Sequence, residues 1–81
     1  MVFDLSKLNG RIVEKFGTRE KFAETVGMTP GQMYPRLQGV TYFRADEIAI
    51  AAEALDILPE EIPEYFFKPK FDLSNQEGQS P

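Results

Sequence analysis

Apolar side chains recur along this chain at helical spacing, and turn residues interrupt them at short intervals. Leu5, Leu8, Ile12 and Phe16 are separated by three, four and four residues, which puts them on one helical face. The spacing predicts a first helix over about residues 5–16. Asp4 is placed to cap it, since a carboxylate accepts from the free N–H groups of a first turn. Asn9-Gly10 lies inside this stretch without flanking strands, so Gly10 reads as a weak point costing about 1 kcal/mol relative to Ala. Gly17 stops the helix. A second helix is predicted over 19–26, capped by Thr18, with Phe22, Ala23 and Val26 inward and Gly27 closing it. A third follows Thr29, with Thr at the N-cap, Pro30 at the first helical position and Gln32 at the third, a capping box combined with the favoured place for proline. Met33 and Leu37 face inward, and Gly39 ends the element.

Ile48, Ala51, Ala52 and Leu55 form the stripe of a fourth helix, with Asp46 and Glu47 complementing the dipole in its first turn. Pro59 opens a short fifth helix, and Pro63 falls within its first turn or cuts it short. Tyr65, Phe66 and Phe67 form an aromatic cluster that supplies at least one core ring. No strand pattern is evident. The expected architecture is all-α: a compact five-helix domain over residues 1–71, followed by a polar, aperiodic tail over 72–81 expected to be disordered.

Composition narrows the function. Eighty-one residues with 42% hydrophobic content suffice for one small domain. The chain holds no Cys and no His, which removes thiolate chemistry, the commonest general base and the commonest transition-metal ligand. With no glycine loop to cradle phosphate, an enzyme is not expected, and neither is a cofactor or a metal. Glu60, Glu61 and Glu64 read as a solvated face, since no ligand loop at calcium spacing accompanies them. No apolar run approaches a membrane span, and the N-terminus lacks the charge and apolar pattern of a signal peptide. The expected setting is the cytoplasm.

The net charge of −4 is unevenly distributed. Residues 1–44 carry seven bases against four acids, and residues 45–81 carry two bases against nine acids. A basic front with an acidic back suits a DNA binder, and is equally what an ordinary acidic protein can show.

The most specific signal lies in residues 18–39. Counting from Arg19, Ala23 is fifth, Gly27 ninth, Met28 tenth and Met33 fifteenth. A small residue where two helices cross, a glycine at the turn and apolar residues beneath it define a helix-turn-helix. Together with Phe3-Asp-Leu-Ser-Lys-Leu-Asn-Gly-Arg-Ile, Glu14-Lys-Phe-Gly-Thr, Phe22-Ala-Glu-Thr-Val-Gly-Met, Asp46-Glu-Ile and Ile62-Pro-Glu-Tyr-Phe-Phe, this chain resembles the lambda-repressor-like family, in particular small Cro-type regulators of phages of Gram-positive bacteria. The resemblance spans about residues 3–67. It implies a phage transcriptional repressor in a bacterial cell, binding a pseudo-palindromic operator on double-stranded DNA as a homodimer, with the third helix in the major groove.

Candidate contacts divide in two. Thr18, Arg19 and Lys21 at the start of the second helix, and Tyr42 and Arg44 on the loop after the third, are placed for phosphate. Thr29, Gln32, Tyr34, Arg36 and Gln38 are the base-reading candidates, Gln to adenine and Arg36 to guanine or phosphate. Three of them have a plainer reading: Gln32 as capping partner, Tyr34 as a partly buried aromatic, Arg36 as a phosphate contact or solvated charge. The chain also departs from the family. Pro30, Gly31 and Pro35 stand at positions where members often carry polar base readers. Pro35 removes a helical hydrogen bond, so either the third helix is distorted, or Pro30-Gly31 forms a type II turn and a shorter helix begins near Pro35. This departure, the acidic half and the aromatic cluster motivate an alternative function: a protein-interaction module that binds a partner repressor and alters its action.

Overall fold

The computed structural model describes residues 3–70, and within them the all-α expectation holds. There are five α-helices, α1 Ser6–Phe16, α2 Arg19–Thr25, α3 Pro30–Leu37, α4 Ala45–Ala54 and α5 Ile62–Phe66, with a 3-10 turn at Pro59–Glu61 leading into α5. Pro63 lies in the first turn of α5 and does not end it. The expected tail, 72–81, and residue 71 at the end of the expected domain lie outside the described residues.

The predicted stripes converge on one core. Leu8, Ile12, Phe22, Ala23, Met33 and Leu55 are fully buried, and Leu5, Leu37, Ala51, Ala52, Ile57 and Phe66 nearly so. Phe16 and Phe22 pack ring to ring at 5.4 Å, joining α1 to α2. Ala23 lies buried at the α2–α3 crossing, where Met28 N donates to its carbonyl at 2.8 Å. Gly27 turns the chain with φ +80°, a left-handed conformation that a side chain disfavours. Val26 and Met28 pack partly buried against the core. The α4 terminus uses a different device. Asp56 adopts φ 55°, and its carboxylate pairs with Lys15 of α1.

Two local expectations need correction. Leu5, not Asp4, occupies the N-cap position of α1. Asp4 acts one residue earlier, its Oδ1 accepting from Ser6 N at 2.9 Å and Ser6 Oγ at 2.6 Å. α3 is continuous from Pro30 to Leu37 with Pro35 inside it, so the type II turn does not form. The capping box does: Thr29 Oγ1 accepts from Gln32 N at 3.2 Å, and Gln32 Oε1 from Thr29 N at 3.0 Å. It fixes the start of α3 and offsets the hydrogen bond that Pro35 cannot make.

Several ties between elements have no periodic signature. Asn9 Nδ2 donates to Leu5 O and to Leu37 O, at 2.9 and 3.1 Å, fastening α1 to the end of α3. Arg11 Nε donates to Leu55 O at 2.9 Å, fastening α1 to the end of α4. Phe3 forms an isolated antiparallel bridge with Pro69, and Asp4 N donates to Lys68 O at 2.7 Å. The two ends of the domain are thereby drawn together.

Candidate functional site

The α2–turn–α3 segment presents its outer face to solvent, because Phe22, Ala23, Met33 and Leu37 turn the opposite face inward. At the start of α2, Thr18 caps the helix, its side chain accepting from Lys21 N at 3.2 Å. Thr18, Arg19 and Lys21 are all exposed. On α3, Thr29, Pro30, Gly31, Gln32 and Gln38 are exposed, and Tyr34, Pro35 and Arg36 are half-buried. The structure thus brings the α2 candidates and the α3 candidates onto neighbouring surface.

The polar groups on this face are largely committed within the chain. Gln32 holds the capping box, as its plainer reading had it. Arg36 turns away from the outer face: Nε donates to Glu47 Oε1 of α4 at 2.8 Å, and Nη1 donates to Gln32 O at 2.6 Å. Burial pushes the Glu47 carboxyl upward, but the Arg44 backbone N–H and the Arg36 guanidinium outweigh it and hold the group below the ordinary carboxylate range. Tyr34 bridges the two helices. Its hydroxyl donates to the Glu20 carboxylate, which holds the phenol above its ordinary range. Glu20 is held low by its own backbone N–H and by Tyr34. The Arg19 guanidinium lies over the Tyr34 ring, 6.0 Å from its centroid.

Pro30, Gly31 and Pro35 contribute no side-chain donor or acceptor. The outer face of α3 is therefore smooth and mostly uncharged, with Thr29 and Gln38 as its polar edges. Reading base edges needs extended donors and acceptors, which Pro30, Gly31 and Pro35 do not supply.

Tyr42 and Arg44 have partners of their own. Tyr42 packs edge-on against Phe3 at 6.0 Å, on the side where the chain ends meet. The Arg44 side chain reaches Asp46 at 3.3 Å, and its backbone N donates to Glu47 at 2.8 Å. The sequence reading missed Glu47 as the partner that captures Arg36. Its position in the first turn of α4, close to a basic α3, was the available signal. Among the described residues no group of acidic side chains is placed to hold a metal ion, and no helix is long and apolar enough to cross a membrane.

Comparison with known proteins bears directly on this geometry. A search of curated proteins gives no match. Among solved structures, the chain is similar to the modulator of repression (MOR) of the temperate bacteriophage TP901-1 from Lactococcus lactis, determined in solution. The two are 38% identical with a TM-score of 0.71, over 89% of this chain and 97% of that one. This overturns the expectation of a Cro-type repressor, because the protein matched so extensively is a modulator of repression. The operator and the homodimer on it followed from that expectation alone. The physical reason for the error lies in α3, where Pro30, Gly31 and Pro35, which carry no polar side chain, stand at the positions that the expectation assigned to base readers. Residues 1–69 match the model of a family described as a protein of unknown function, DUF739, and the chain belongs to that family.

Proposed function

We propose that this protein modulates a phage repressor by direct protein contact, and that the contact is made by the outer face of α2 and α3 on a helix-turn-helix scaffold of the lambda-repressor-like kind. The observation that carries the reading is the likeness to the TP901-1 modulator of repression across nearly the whole of both chains. The chemistry of α3 selects the surface. A face whose arginine is drawn aside to Glu47, whose Gln32 serves a cap, and whose remaining positions are Pro30, Gly31 and Pro35 suits burial against a protein. The α3 part of the face has few donors and acceptors to leave unsatisfied on docking, and the exposed Arg19 and Lys21 of α2 lie at its edge. The protein is read as a binding module and not an enzyme, because its sequence holds neither His nor Cys.

The test is a titration of the purified protein into the repressor of the same phage genome, by calorimetry and by gel shift on the operator. A stoichiometric complex and an altered operator occupancy are expected, with the protein alone leaving the operator unshifted. Absence of a complex with the repressor would overturn the reading. So would sequence-specific operator binding by the protein alone, weakening steeply with salt as phosphate contacts require.

A further inference from the structure

Most cations of this chain are engaged within it. Lys7, Arg11, Lys15, Arg36 and Arg44 each pair with a carboxylate. Among the described residues, Arg19, Lys21, Lys68 and Lys70 form no ion pair. Arg19 and Lys21 stand exposed in the first turn of α2. They lie beside the face of α3 whose own arginine is drawn aside to Glu47.

Arg19 differs from Lys21 in how it is held. Its guanidinium reaches across to α3 and lies over the Tyr34 ring, 6.0 Å from the centroid. That ring is half-buried, and its hydroxyl is bound to the Glu20 carboxylate. Glu20 also accepts from its own backbone N–H, so the acid next to Arg19 is occupied by other donors and forms no ion pair with it. A guanidinium resting on a ring keeps its in-plane N–H donors for a further acceptor. A long side chain already restrained in this way loses less freedom on docking. Arg and Tyr are also the side chains that protein interfaces use most often as anchors.

Charge decides the kind of acceptor. α2 carries Glu20 and Glu24 along with Arg19 and Lys21, so its formal charges balance. The one charge on α3, Arg36, is paired. A nucleic-acid duplex presents a dense row of phosphates and is gathered by several uncompensated cations. A face with balanced charge does not supply them. A protein surface offers single carboxylates, and a planar guanidinium binds one through two parallel N–H···O bonds.

We infer that Arg19, positioned by Tyr34, pairs with a carboxylate of the repressor and anchors the contact between the two proteins. This rests on the reading of the α2–α3 face as the repressor-binding surface. Arg19 makes the contact, and Tyr34 is a positioning residue that acts through it.

The experiment is calorimetric titration of the full chain into the repressor of the same phage genome, at low and high salt. The variants are Arg19→Gln, Tyr34→Leu, the two together, and Lys68→Gln as a control that removes an exposed, unpaired cation next to α5. Circular dichroism checks that each keeps the parent's helical content. Arg19→Gln should weaken binding by about 30-fold, the loss expected of an anchor residue, and flatten its salt dependence. Lys68→Gln should bind as the parent does. Tyr34→Leu should weaken the parent by roughly 5-fold but add little once Arg19 is gone, since coupled residues are not additive. Arg19→Glu should abolish binding, and one Asp→Arg or Glu→Arg change among the repressor's exposed acids should restore it.

A parent complex whose affinity is unchanged in Arg19→Gln would overturn this inference and leave the repressor reading standing. Additive losses from Arg19→Gln and Tyr34→Leu would overturn the positioning role of Tyr34. No complex between the parent and the repressor would overturn both readings. A shift of operator DNA by the protein alone, lost in Arg19→Gln, would assign Arg19 to phosphate and overturn the inference as well.

Discussion

Arg36 Nε lies 2.8 Å from Glu47 Oε1, and both side chains are only 16% exposed. This contact joins α3 to the first turn of α4 and withdraws the one arginine of α3 from its outer face. Glu47 Oε1 also accepts from Arg44 N at 2.8 Å, so a single carboxylate oxygen fixes the start of α4 and the end of α3. Glu47→Gln should lower stability by about 1.5–3 kcal/mol, the range for hydrogen bonds to charged groups, read from the urea midpoint. A double-mutant cycle with Arg36→Met should show coupling between the two sites. Additive effects would mean that the pair contributes nothing specific.

The same pair sets a pH dependence. The folded-state pKa of Glu47 is lowered, so its contribution is fully present above the ordinary glutamate value. It is lost as pH falls from there through the lowered folded value. Urea midpoints measured across the acid range should fall more steeply for the parent than for Glu47→Gln. Parallel profiles would contradict the assignment.

The Thr29–Gln32 capping box fixes where α3 begins. Thr29→Ala should cost about 1 kcal/mol, with a range of roughly 0.5–2, while Thr29→Asp should be nearly neutral. Thermal unfolding by circular dichroism checks both. Equal losses in the two variants would remove the cap from the account.

Pro35 withholds a hydrogen bond inside an eight-residue helix. Replacement by Ala restores the donor, and the gain is offset by the greater freedom of the unfolded chain, about 0.4–1 kcal/mol. Against an interior cost of ~3 kcal/mol, Pro35→Ala should raise stability by about 2 kcal/mol. If unfolding experiments show destabilisation instead, the ring packs more favourably in α3 than this balance allows.

Gly31 and Gly10 separate function from stability. A Cβ at Gly10 would meet nothing within 4 Å, and one at Gly31 would meet only Thr29 Oγ1 at 3.9 Å. Both sites therefore tolerate Ala, each gaining about 0.5–1 kcal/mol. Gly31→Lys, with the fold retained, should weaken repressor binding by a factor of roughly 10 or more, a loss of ~1.4 kcal/mol. Gly10→Ala should leave binding unchanged. Calorimetric titration reads both, and equal binding by Gly31→Lys would exclude the α3 face as the contact.

Much of the scaffold was legible from spacing. Leu8, Ile12, Phe22, Met33, Ala51 and Leu55 lie in the core because helical periodicity alone assigns them an inward face, and Thr18, Gly27 and Thr29 mark boundaries through local backbone chemistry. These are short-range properties that a sequence encodes directly. The roles on the surface were not legible. Whether Arg36 meets a base, a phosphate or Glu47 depends on how α4 packs against α3, eleven residues away. The hold of Asn9 on Leu37 O and the bridge from Phe3 to Pro69 likewise join groups distant in the chain. Local spacing and capping chemistry settle where the helices form and which faces they bury. Which polar groups stay unengaged at the surface is settled by packing, because a long charged side chain takes whichever counter-charge the packing brings within reach.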